Sequence, residues 1–151
     1  MFASTGGGRI DLVRAGAAKE FTVHVHNGNT RAYDEIAVAF QMEIMEGTGE
    51  GPAPARNGLV LERRDPATGR WAPAELRVAN DVQPPWLTPA GTPLAREAGR
   101  VEHFRLRAAG NAPAGSMPLM IKLVDTAAAE DAPYDAAVPV RTSLMVGVRG
   151  R

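Results

Sequence analysis

The 151-residue chain is 44% hydrophobic, enough for one domain that buries roughly 70% of its unfolded surface. Seventeen basic residues balance seventeen acidic ones, so no net field steers nucleic acid or anionic lipid, and neither partner is expected. There is no cysteine, which excludes disulfides, thiolate metal sites and a cysteine nucleophile.

Residues 1–8, ending in Gly6-Gly7-Gly8, read as linker or disordered, and a single domain is expected over 9–151. The opening residues show no basic n-region or apolar h-region, and no later run of about eighteen apolar residues offers a membrane span, so membrane insertion is not expected. A short strand over Arg9 to Val13 is followed by a turn at Arg14 to Ala18. From Glu20 to His26, Phe21, Val23 and Val25 point one way while Thr22, His24 and His26 point the other; Asn27-Gly28-Asn29 then supplies turn chemistry. The cleanest alternation runs from Glu35 to Met45, with Ile36, Val38, Phe40, Met42 and Ile44 on one face.

Glu46 to Gly58 lacks periodicity and reads as loop. Leu59 to Arg64 and Arg70 to Val78 form a hairpin about Asp65-Pro66-Ala67-Thr68-Gly69, and Pro73 makes the second arm an edge strand or introduces a bulge. Ala79 to Gly99, with four prolines, is a long connection unsuited to a helix interior or a central strand. Around Gly110 to Gly115, two further strands alternate: Phe104, Leu106 and Ala108 oppose His103, Arg105 and Arg107, and Met117, Leu119, Ile121 and Leu123 share a phase. Thr126 to Pro139 is acidic and alanine-rich with one helical turn around Ala127 to Glu130, and the last strand covers Val140 to Val148.

About eight strands with strong turns and no crossover helix predict an all-β fold, a sandwich of two antiparallel sheets, with a closed barrel as the architectural alternative. The strand Val101 to Arg107, the turn Asn111-Ala112-Pro113-Ala114-Gly115 and the return strand Met117 to Asp125 resemble the immunoglobulin-like or fibronectin type III-like modules of bacterial secreted and cell-surface proteins. The hairpin Arg64 to Trp71 is similar to a segment of exported actinobacterial proteins, and fifteen arginines against two lysines suit a high-GC bacterium. That resemblance implies a module outside the cell, acting in adhesion, spacing or assembly through protein partners, by self-association or with other domains. The chain departs from the pattern where Met117 and Pro118 follow the turn, so a tyrosine-corner bond does not carry over.

Each candidate site has a plain alternative. His24, His26 and His103 are the three imidazoles available to a metal, but Thr22 beside them suits a solvated sheet face, and no metal is expected. Asp125, Glu130, Asp131 and Asp135 offer calcium-type oxygens without the spacing of a calcium loop. Trp86, with Leu87, is an anchor for a partner or a sugar ring, or else plugs the end of the sandwich; the plug is favoured because tryptophan is well buried on average. Lys19 or Lys122 could form an isopeptide link with Asn57, Asn80 or Asn111, but Lys122 lies out of phase with Leu119, Ile121 and Leu123 and is expected in solvent. Met45, Met120 and Met145 fall on outer faces and suggest a second layer or a partner.

No nucleophile elbow, phosphate loop, dinucleotide fingerprint or zinc-protease motif occurs, and Ser4, Ser116 and Ser143 have no evident catalytic companions. The expectation is a non-catalytic module without a cofactor. A carbohydrate- or metal-binding β-domain accessory to an enzyme is the alternative.

Overall fold

The computed structural model describes residues 1–42, 58–79 and 81–150. Eleven strands are described: β1 (Phe2–Thr5), β2 (Arg9–Val13), β3 (Lys19–His26), β4 (Tyr33–Met42), β5 (Leu59–Arg64), β6 (Trp71–Pro73), β7 (Leu76–Val78), β8 (Thr92–Leu94), β9 (Gly99–Ala108), β10 (Gly115–Asp125) and β11 (Val140–Arg149). One sheet has the order β1-β3-β9-β5-β6; the other runs β2-β11-β10-β4-β7, with β8 also on β4. This is a two-layer immunoglobulin-like sandwich, and the alternation in β3, β4, β9 and β10 is what builds it. Val23, Val25, Ile36, Phe40, Phe104, Leu106, Leu119, Ile121 and Leu123 all turn between the sheets and are buried. Across that space Phe40 of one sheet meets Phe104 of the other edge-on at 4.6 Å, and Phe21 stacks beside Phe104 at 5.7 Å.

Both flanks are laced by chain that changes sheet. β1 pairs antiparallel with β3, then Gly6 to Gly8 carries the chain across to β2, which runs parallel to β11. On the other flank β5 and β6 form the expected hairpin in the first sheet. Ala74 and Glu75 then cross to β7, parallel to β4 in the second. Among the described residues these crossings leave no long unpaired edge at either flank. They also add two parallel pairings to a sandwich expected to be antiparallel throughout.

Several expectations are corrected. Residues 2–5, read as linker, form a strand because Phe2 packs tilted against the His26 ring at 5.1 Å and Ala3 packs on the core; four residues are too few for a period to show. The arm Arg70 to Val78 is two strands in different sheets, and Pro73 closes the first of them at the sheet edge, where a missing N–H costs no ladder bond. β8 lies within the long connection read as structureless. The helical turn falls at Tyr134–Ala137 and not around Ala127 to Glu130. Ile44, Met45 and the Glu46-to-Asn57 loop lie outside the described residues.

Lys122 is also corrected, from solvent to burial at 8% exposure. Its outward phase is right, but the outer face of β10 there is roofed by Val138, Gln83, Pro85 and Thr88. Its Nζ donates to Gln41 Oε1 at 2.9 Å, and Gln41 Nε2 in turn donates to the Ala79 and Asp81 carbonyls. Of the asparagines considered for a covalent link, Asn57 and Asn80 lie outside the described residues.

Burial, and then the charges of Arg77 and Arg141, hold the Lys122 ammonium below its usual value. The unfolded chain therefore binds the extra proton between the folded and unfolded values, so stability rises with pH across that interval. Lys122→Met is expected to abolish this alkaline rise, read as urea midpoints between about pH 7 and pH 10.

Candidate functional site

The inward face of β9 reads Arg100, Glu102, Phe104, Leu106, Ala108, so the core phase begins with two charges. On β5 the same phase carries Leu59 and Leu61 and ends on Arg63. Glu102, at 7% exposure, lies between the two guanidinium groups: Arg100 Nε donates to Oε1 at 2.8 Å, and Arg63 Nε lies 3.1 Å from Oε2. A carboxylate taken out of water this far needs such partners. Arg100 reaches further. Its Nη2 donates to the Ile36 carbonyl of β4 at 2.6 Å and its Nη1 to the Thr92 and Pro93 carbonyls of β8, so one side chain of the first sheet holds two strands of the second.

The triad keeps apolar side chains from filling the space beside it. A cavity of about 400 Å³ opens there, floored by Ile36, Val38, Phe40 and Phe104, with Arg63, Arg100 and Glu102 at one side. Thr88 to Thr92 form its outer wall. Gly91 is what lets that wall close: it lies against the Ile36–Ala37 peptide, where a Cβ would overlap the Ile36 carbonyl carbon. Its N–H donates to Thr126 Oγ1, whose hydroxyl donates to Glu35.

The wall has an apolar outer tip. Pro85–Leu87 is one 3₁₀ turn, closed by Leu87 N–H to the Pro84 carbonyl and by Gln83 Nε2 to the Leu87 carbonyl. Trp86 is 51% exposed, Leu87 60% and Val82 58%. Trp86 is therefore no plug: Phe40 and Phe104 already fill the interior, and the turn directs the indole outward.

The other candidates disperse. His24, His26 and His103 lie on the outer face of the first sheet, His24 beside Thr22 Oγ1 at 3.2 Å and His26 under Phe2. Asp125 caps the Ala127 N–H and faces Arg31, while Asp135 pairs with Arg141. Among the described residues no group of three metal-ligating side chains forms. Met120 is half-buried and Met145 is 38% exposed on the outer face of the second sheet. Sequence reading missed the triad, although its signal was present: Glu102 and Arg63 sit in phase with Phe104 and Leu61, where an unpaired charge would be untenable.

No protein-family model matches the chain, and no curated protein does. Among solved structures it is similar to AvmM, which catalyses macrocyclization in alchivemycin A biosynthesis, at 14% identity over 96% of this chain and 87% of that one, with a TM-score of 0.54. It is also similar to a family 123 glycoside hydrolase from Clostridium perfringens, at 9% identity and a TM-score of 0.51, where it spans 27% of that chain. The E. coli chaperone DraB follows at 14% identity and a TM-score of 0.46, with 98% of this chain and 55% of that one covered. The first two likenesses show the fold alone, a two-sheet β-sandwich shared at low identity.

Arg100→Met is expected to destabilise the chain by about 3 kcal/mol, because it leaves Glu102 buried beside one partner and unties β4 and β8 from β9. Gly91→Ala is expected to cost roughly 1–3 kcal/mol by forcing the wall off β4. Urea denaturation followed by tryptophan fluorescence measures both.

Proposed function

We propose that this chain is a non-catalytic immunoglobulin-like module of an exported bacterial protein, working as an assembly subunit, adhesin or spacer through protein–protein contacts. The observation that carries the reading is the apolar tip: a tryptophan and two aliphatic side chains more than half exposed, on a segment fastened to the sheet by Gln41 and Gly91. Exposed aromatic anchors on a rigid support are what concentrate binding energy at protein interfaces. The balanced charge supports association with a second copy, since no net repulsion separates like chains.

A second reading draws on the cavity. Its 400 Å³ lies in the range of small-molecule sites, and AvmM is an enzyme on a similar sandwich. Under that reading the module holds a small organic ligand between its sheets.

Variants at the apolar tip separate the protein-binding reading from a carbohydrate-binding one. Light scattering across a concentration series is expected to show the mass rising above one chain, and Trp86→Ser with Leu87→Ser to weaken this association at least tenfold without altering the fold, as the loss of a central anchor does. A wild-type chain that stays monomeric at millimolar concentration, with the double variant losing binding on a glycan array, would replace this reading with the carbohydrate-binding one.

A further inference from the structure

Asn27, which follows β3, is wholly buried, while the next residue, Gly28, is exposed. The Asn27 carboxamide ties the connection after β3 to the connection after β8. Its Oδ1 accepts from Asn29 N–H at 3.0 Å. Its Nδ2 donates to the Arg31 carbonyl at 2.8 Å, to that of Ala95 at 3.1 Å and to that of Leu94, the last residue of β8, at 3.4 Å. The backbone completes the joint: Asn27 N–H donates to the Ala98 carbonyl just before β9, and Asn27 O accepts from Glu97 N–H. Glu97 holds a left-handed φ of 57°, a conformation that costs a non-glycine residue free energy, so this corner depends on Asn27 to keep its shape.

Asn followed by Gly is also a reactive pair, because glycine has no Cβ to obstruct its own nitrogen. In a free chain the Gly28 nitrogen attacks Asn27 Cγ. A C–N bond forms, the Cγ–Nδ2 bond breaks, and Nδ2 leaves as ammonia with the proton that Gly28 gives up. Water then opens the five-membered imide to aspartate or isoaspartate. In the folded chain four hydrogen bonds hold the carboxamide in place, and burial keeps water from the leaving nitrogen. We propose that Asn27-Gly28 is a self-modification site opened by unfolding: the native corner holds the carboxamide unreactive, and a chain that opens there converts Asn27 to an acid the native corner no longer accepts.

The geometry makes the conversion one-way. Three carbonyls converge on Nδ2, and an aspartate would set a buried carboxylate against all three. Even protonated, it has one donor for three acceptors. Isoaspartate lengthens the main chain by one atom and moves the Ala98 and Glu97 bonds out of register. Corners of this kind open more often than the whole molecule unfolds, so the site records the time each chain has spent open. The inference is independent of what the module binds.

The test incubates the full chain in mildly alkaline buffer, native and in guanidinium chloride above its midpoint, and follows Asn27 by peptide mapping with mass spectrometry. Conversion is expected to be at least a hundredfold slower in the native chain, which reacts only through its opened fraction. On removal of denaturant, the share of chains that regain native tryptophan fluorescence is expected to fall in step with the converted Asn27. Gly28→Ala, whose Cβ makes only ordinary contacts with the His26 ring at 3.8 and 3.9 Å, is expected to keep the fold and to slow both losses at least tenfold. Asn57-Gly58 is the same pair and is present in both proteins, so a difference between them belongs to Asn27. Equal rates in native and denatured chains overturn the proposal. So does a Gly28→Ala chain that loses refolding as fast as the parent, or an Asn27→Asp chain as resistant to guanidinium as the parent.

Discussion

The bond set of Arg100 is the constraint on which the rest of the site depends. A sandwich holds its layers together by apolar burial, which has no direction and fixes spacing without fixing register. Here one guanidinium adds direction: it satisfies a carboxylate on its own strand and three carbonyls on the facing layer. Glu102 makes that arrangement necessary, since a carboxylate on the core phase is tolerated only with its partners in place. The space beside the triad is open for the same reason, because charged groups that hold one another cannot also be packed over by leucine and valine.

Much of this fold was legible in the sequence, and the reason is periodicity. β3, β4, β9 and β10 are long enough for alternation to stand out from composition, and the apolar side chains they turn between the sheets are the ones that pattern selects. Pro118 sits one residue before the β4 ladder begins at Leu119, where its missing N–H breaks no described bond. Short strands were less legible. β1 and β8, of four and three residues, escaped, and the arm over β6 and β7 was read without its change of sheet; what recruits the first two is a neighbour: Phe2 needs His26, and β8 needs Arg100.

The site was less legible, for a different reason. The outward phase of Lys122 predicts solvent, and the average burial of tryptophan predicts an interior Trp86. The structure reverses both. A loop from elsewhere in the chain roofs Lys122, while the interior is already filled where the indole would go. Neither fact resides in the local sequence. Glu102 differs, because its phase alone marked it as an inward charge, and reading every charge against the apolar period of its strand would have exposed the triad.

The parallel pairing of β2 with β11 sets the order in which the molecule can be completed. Arg9 lies beside Met145 and Val13 beside Arg149, so β2 waits for β11, which is made after every other strand described, before its edge is matched. Contacts of such sequence separation form late and slowly. Until then the open edge of β10 is available to other chains, which makes nascent copies the species most exposed to mispairing.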